Sequence, residues 1–221
     1  MNNTLDFLDP NTILNAYKIG VFPMAENKFS KKIFWVKPKM RGILPLDNIH
    51  VPKSLKKKIK TNPFVIKFDT NFYEVINACS ELNKKRNETW INQNILSSYN
   101  KLFEMGYAHS VEAWKNRKLV GGLYGLSINS AFFGESMFSI ETDSSKVCLI
   151  YLLDILKSLN FVLFDVQFKT NHLAQFGVIE INEKNYDLIL KKALAKKNFY
   201  SPPPISSFEG DKVLQSITQT S

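Results

Sequence analysis

Residues 107–139 read YAHSVEAWKNRKLVGGLYGLSINSAFFGESMFS, and this stretch decides the fold. Three runs of strand-forming residues, Tyr107–Trp114, Leu119–Ile128 and Ala131–Ser139, are separated by the turn signals Lys115-Asn116-Arg117-Lys118 and Asn129-Ser130. Turns this short make consecutive strands pair antiparallel, so a three-stranded meander is expected. The period then changes. Thr142-Asp143-Ser144 are capping residue types that open a helix through Leu159, and Val147, Leu149, Ile150, Leu153, Ile155 and Leu156 are too broadly apolar for a solvent-facing helix. Phe161–Phe168 reads as a buried strand, Asn171–Phe176 as a short helix, Val178–Ile181 as a strand and Lys184–Lys196 as the final helix. Strands followed by alternating helices and strands specify an α+β domain on a mixed sheet.

Upstream, Asp9-Pro10 starts a helix with Ile13, Leu14 and Tyr17 on its apolar face and Gly20 as its stop. Val21–Glu26 reads as a loop, because Pro23 lacks the donor a strand needs, and Phe34–Pro38 is a short apolar stretch closed by a second proline. Residues 52–60 form a short basic helix with Leu55 and Ile59 inward; Phe64–Phe68 is a strand, after which Asp69/Thr70 cap a helix over Asn71–Cys79. A polar linker, Ser80–Glu88, carries Lys84, Lys85 and Arg86, and Gln93–Met105 is a helix with Ile95, Leu96, Tyr99, Leu102 and Phe103 at helical spacing. Pro202-Pro203-Pro204 ends the last helix, and the polar remainder reads as a loosely packed tail.

Composition narrows the function classes. The 221 residues carry 29 Lys+Arg against 20 Asp+Glu, a net charge of +9, which is compatible with a polyanionic partner without requiring one. With 44% hydrophobic residues the chain is too apolar to be disordered, yet its longest apolar run, Val147–Leu153, is far short of the roughly 20 residues of a membrane span. The N-terminus lacks a signal-peptide pattern, and a cytoplasmic location without membrane partners is expected. Cys79 and Cys148 alone cannot build a disulfide framework, and His50, His109 and His172 are scattered, so no metal site is expected.

Polar groups set among apolar ones mark the candidate chemistry. Glu135 interrupts Phe133-Gly134-Glu135-Ser136-Met137-Phe138, and Asp165 and Gln167 are two apart in Phe161–Phe168, which places them on one face of a strand. A carboxylate in so apolar a strand must be paired or hydrogen-bonded. The pattern equally suits a solvated edge strand, or a structural acid in the case of Glu135.

Several segments together resemble one family. AYKIGVFP (16–23), TWI (89–91), GYAHSVEAW (106–114), LVGGLYG (119–125), FFGESMFS (132–139), SSK (144–146), FDVQ (164–167) and HLAQFG (172–177) occur in the order and spacing of the bacterial leucyl/phenylalanyl-tRNA–protein transferases. The resemblance implies a GNAT-type, acetyltransferase-like catalytic domain over 43–200, a small N-terminal domain over 1–42 and a tail over 201–221. It also implies transfer of Leu or Phe, less well Met, from aminoacyl-tRNA to proteins beginning with Lys or Arg, which marks them for degradation. The ester arrives activated, so no cofactor is implied, and a monomer is expected.

The resemblance also implies site roles. Gln167 aligns the attacking amine, Asp165 orients the Gln167 amide, and Glu135 holds the acceptor ammonium or the substrate amide. Leu123, Phe132, Leu149 and Leu152 align with the family's side-chain pocket, although each also suits ordinary core packing. Trp90 lies near the substrate end. Met24 stands where the best-studied form has the Trp that stacks on the terminal adenine. Lys53, Lys56, Lys57, Lys58 and Lys60 become candidate tRNA phosphate contacts, their alternative being a solvated helix face. Other departures from the family pattern are Trp35-Val36-Lys37-Pro38 for Trp-Trp-Ser-Pro, Thr170 for Asn, Gln175-Phe176-Gly177 for Ser-Leu-Gly, and Glu183 or Lys184 for Arg. They leave open the same chemistry with another specificity, Arg or Leu onto N-terminal Asp or Glu. A CoA-dependent acetyltransferase is disfavoured because Ser139–Ser144 has no glycine and two acids where pyrophosphate would bind. A non-catalytic RNA-binding module would leave Glu135, Asp165 and Gln167 without purpose.

Overall fold

A computed structural model describes residues 8–82, 87–202 and 210–218. The quoted stretch forms the expected meander, β5 (Ala108–Lys115), β6 (Lys118–Ile128) and β7 (Ala131–Ser139). Positive φ at Asn116, Arg117 and Asn129 makes its two turns tight. Four further strands, β3 (Met40–Ile43), β4 (Val65–Phe68), β8 (Leu163–Gln167) and β9 (Ile179–Asn182), complete a seven-stranded sheet in the order β4-β5-β6-β7-β8-β3-β9. The sheet is mixed: β7 and β8 are parallel, joined by the crossover helix α5 (Ser144–Ser158), while its other neighbours are antiparallel.

Side chains alternate across this sheet and build two cores. Leu123, Phe132, Phe164 and Val166 face α5, α2 (Lys53–Thr61) and α8 (Gly210–Thr218). Tyr124, Phe133 and Leu163 face α1 (Pro10–Lys18), α3 (Phe72–Ser80), α4 (Gln93–Glu104) and α7 (Glu183–Ala195). The remaining short helix, α6 (Asn171–Ala174), crosses between β8 and β9. Among the described residues no helix is long and apolar enough to cross a membrane.

Three expectations are corrected, and one strand is added. Phe22–Ala25 is a strand, β1, paired with β2 (Ile33–Val36); Pro23 is tolerated because a two-stranded sheet has only edges. Met40–Ile43, unread in the sequence, is inserted between β8 and β9, so the chain joins the large sheet before residue 43. Asn71 rather than Asp69/Thr70 caps α3, accepting from Glu74 N–H, while Asp69 accepts from Ser110 N–H and pairs with His109 at 2.8 Å. The tail is not loose throughout: Val213, Leu214 and Ile217 of α8 are buried against α2 and α5. Lys84–Arg86 lie outside the described residues.

Candidate functional site

The pairing of β7 with β8 covers only Ala131–Phe133 against Leu163–Asp165. Beyond it the strands part, and a cavity of about 220 Å³ opens between them. Leu123, Met137, Leu149, Leu152, Phe164, Val166 and Leu173 line it, with Tyr124, Glu135, Ser136, Thr170 and His172 as polar members. Burial, and after it the nearby Lys146, lower the pKa of the rim residue His172, which favours its neutral form. A second cavity of similar size lies beside the first, lined by Phe22, Met24, Trp90, Phe168 and Gln167. Glu135, Val166, Thr170 and Leu173 belong to both.

Glu135 therefore stands at the junction. Tyr17 OH of α1 donates to its Oε1 at 2.6 Å, Tyr99 OH of α4 lies 3.2 Å from its Oε2, and the two phenols are 2.7 Å apart. Burial raises the Glu135 pKa to about 8, with Asp165 adding repulsion, while the bond from Tyr17 pulls it back. Both tyrosines are pushed well up, first by burial and then by the Glu135 charge, so they remain neutral donors. Gln167 Nε2 lies 3.5 Å from Glu135 Oε1, which leaves the Gln167 amide oxygen as the end available to an incoming donor.

Asp165 is engaged differently from the amide-orienting role that the resemblance implied. Its carboxylate receives Arg41 Nε at 2.9 and 3.1 Å and Arg41 Nη2 at 2.7 Å, Tyr186 OH at 2.7 Å and the backbone N–H of Gln167 at 2.9 Å. It does not touch the Gln167 side-chain amide, and it lines neither cavity. Gln167 adopts φ +59°, so the strand alternation that would keep 165 and 167 on one face ends there. Arg41 is buried between the rings of Phe22 and Tyr186 and also donates to Gly20 O, tying the N-terminal segment to β8. Close approach makes Gly42 necessary: a Cβ there would lie 2.7 Å from Phe168 C, just past Gln167.

Other expected residues separate. Leu123, Leu149 and Leu152 line the first cavity, whereas Phe132 is fully buried behind Phe164, against Tyr200. Met24 and Trp90 share a wall of the second, fixed by Ala25 N–H donating to Trp90 O at 3.2 Å. Lys53, Lys56, Lys57, Lys58 and Lys60 all lie on α2, away from both cavity linings. Lys58 donates to Thr142 O and Lys60 pairs with Asp211 at 3.5 Å. Two of the departures noted above meet each other, Lys37 reaching Glu183 at 2.8 Å. Sequence reading missed Arg41, Tyr17, Tyr99 and Tyr186 as site-builders. The available signal was tyrosine, rather than phenylalanine or leucine, at buried helical positions, where a hydroxyl needs a partner.

Residues 43–191 match the family model described as leucyl/phenylalanyl-tRNA protein transferase, and residues 7–39 match the model of that family's N-terminal domain. The chain belongs to this family. Leucyl/phenylalanyl-tRNA protein transferases are enzymes of the N-end rule that use aminoacyl-tRNA and protein substrates. Both cavities and the Glu135–Gln167 corner fall within the matched segments of the transferase family.

Proposed function

We propose that this protein transfers Leu or Phe, less well Met, from aminoacyl-tRNA to the N-terminal amine of proteins beginning with Lys or Arg, a leucyltransferase reaction on an acetyltransferase-like fold. The observation that carries this reading is the sharing of Glu135 by an apolar cavity and an aromatic one. The first takes the aminoacyl side chain, contacting Leu123, Leu149 and Leu152; such a pocket discriminates by only about 1–3 kcal/mol per methylene. The second takes the terminal adenosine, with Met24 and Trp90 against the base. The ester linking the two parts then lies beside Glu135 and Gln167.

The amine nitrogen attacks the ester carbonyl carbon; a C–N bond forms, the C–O bond breaks, and the ribose hydroxyl leaves with a proton. An α-amine has a pKa near 7.7–8.0, so part of it is neutral at pH 7 and alignment matters more than strong base strength. The Gln167 oxygen accepts from the amine. Glu135, with its pKa about 8, is matched to the proton that the amine sheds. Asp165 acts through the Gln167 backbone and is a positioning residue. The lysines of α2, of which Lys53, Lys57 and Lys60 are exposed, contact tRNA phosphates without reading sequence.

A panel of peptides beginning with Lys, Arg, Asp and Glu, crossed with leucyl-, phenylalanyl- and arginyl-tRNA, tests the specificity. Product is expected from Leu and Phe onto Lys and Arg. Product confined to Asp or Glu acceptors would replace that specificity while keeping the chemistry, and no product from any donor would overturn the transferase reading.

A further inference from the structure

One wall of the aromatic cavity, Phe22 and Met24, belongs to the β1–β2 hairpin. Directly opposed residues of an antiparallel pair share a face, and Met24 opposes Phe34. Met24 lines the cavity; Phe34, next along the same face, is 41% exposed. Lys32 Nζ stands 4.9 Å from the centre of the Phe34 ring, and Lys31 beside it is exposed. Trp35 opposes Pro23 on the other face and takes no part. The surface is held firmly against the cavity, by Ala25 N–H to Trp90 O and by Asn92 Nδ2 donating to Ser30 O at 2.7 Å.

An exposed ring with a cation over it, continuous with an adenosine cavity, has the two elements that bind single-stranded nucleic acid: a stacking platform and a phosphate partner. We propose that Phe34 and Lys32 form the subsite for the nucleotide preceding the terminal adenosine of the tRNA 3′ end, its base stacking on Phe34 and its phosphate meeting Lys32. The inference rests on the assignment of adenosine to the cavity of Phe22, Met24, Trp90 and Phe168. The flexible lysine stem lets the ammonium pass from ring to phosphate as the base arrives. RNA fits this surface better than an acceptor beginning with Lys or Arg, which would meet like charge from Lys31 and Lys32.

The test compares single-turnover transfer from the leucyl esters of adenosine and of cytidylyl-adenosine. In the wild type the added cytidylate lowers the half-saturating donor concentration by roughly tenfold, and Phe34→Ala removes that gain while Phe34→Trp restores it. Lys32→Ala lowers the salt dependence of the dinucleotide ester by about 0.7 in logarithmic slope, the contribution of one single-strand phosphate. A wild-type ratio between the two esters in Phe34→Ala overturns the subsite, as does an effect on half-saturation by the acceptor peptide instead. Failure of the adenosine assignment shows separately: Met24→Ala and Trp90→Ala would then leave half-saturation by the adenosine ester unchanged, and both readings would fall.

Discussion

On β8 the Asp165 carboxylate is closed in by Arg41, Tyr186 and the Gln167 N–H, and is fully buried. On β7 the Glu135 carboxylate is held by two phenols, yet it still lines two cavities. One strand away from each other, the two acids have opposite surroundings. The charge of Asp165 is matched by a guanidinium, so it can fix backbone, including the left-handed turn at Gln167. Glu135 has only neutral donors, so burial lifts its pKa toward that of an amine, which suits the proton-accepting role proposed for it. The two differ in the charge of their partners and in exposure, Asp165 being fully buried and Glu135 half-buried.

Breaking the closed side is expected to have the largest effect. Arg41→Met leaves Asp165 buried without its counter-charge and should lower stability by about 3–5 kcal/mol, read from the urea midpoint. The double variant Arg41→Met/Asp165→Leu should recover much of that loss, since exchanging both partners for apolar groups is often near neutral. A single variant as stable as wild type would mean that the pair does not hold β3 to β8.

A smaller effect is expected on the open side. The Tyr17 hydroxyl lowers the Glu135 pKa, so Tyr17→Phe should raise it and move the acidic limb of the kcat/KM pH profile to higher pH. An unmoved limb would assign that limb to another group. The sign for stability is also set. Between 4.5 and about 8 the folded state keeps a proton on Glu135 that the unfolded chain has released, so this residue makes folding less favourable as pH rises through that window. The smallest effect is expected far from either acid: Lys57→Ala/Lys58→Ala should flatten the salt dependence of tRNA affinity by a slope of one to two, and an unchanged slope removes both from the interface.

The same contrast explains what the sequence made legible. The period-two meander of 107–139 and the apolar helix from Ser144 are local patterns, and they formed as read. β3 was invisible because Met40-Arg41-Gly42-Ile43 has no strand pattern of its own; β8 and β9 create it by pairing. β1 was hidden by Pro23, and α8 by a polar, proline-led approach, although Val213, Leu214 and Ile217 sit at helical spacing. Glu135, Asp165 and Gln167 stood out as polar groups in apolar strands, but their partners could not be read. Tyr17 and Tyr99 are 82 residues apart, and Arg41 lies 124 residues from Asp165. Strand spacing alone also misjudged the reach of Asp165, because positive φ at Gln167 ends the alternation.

The most direct measurement is the single-turnover rate of Gln167→Ala with saturating leucyl-tRNA and a Lys-initiated peptide. A fall of about a hundredfold or more, with donor binding and thermal stability retained, is expected if alignment of the amine at this corner carries the reaction. A rate near wild type would contradict it.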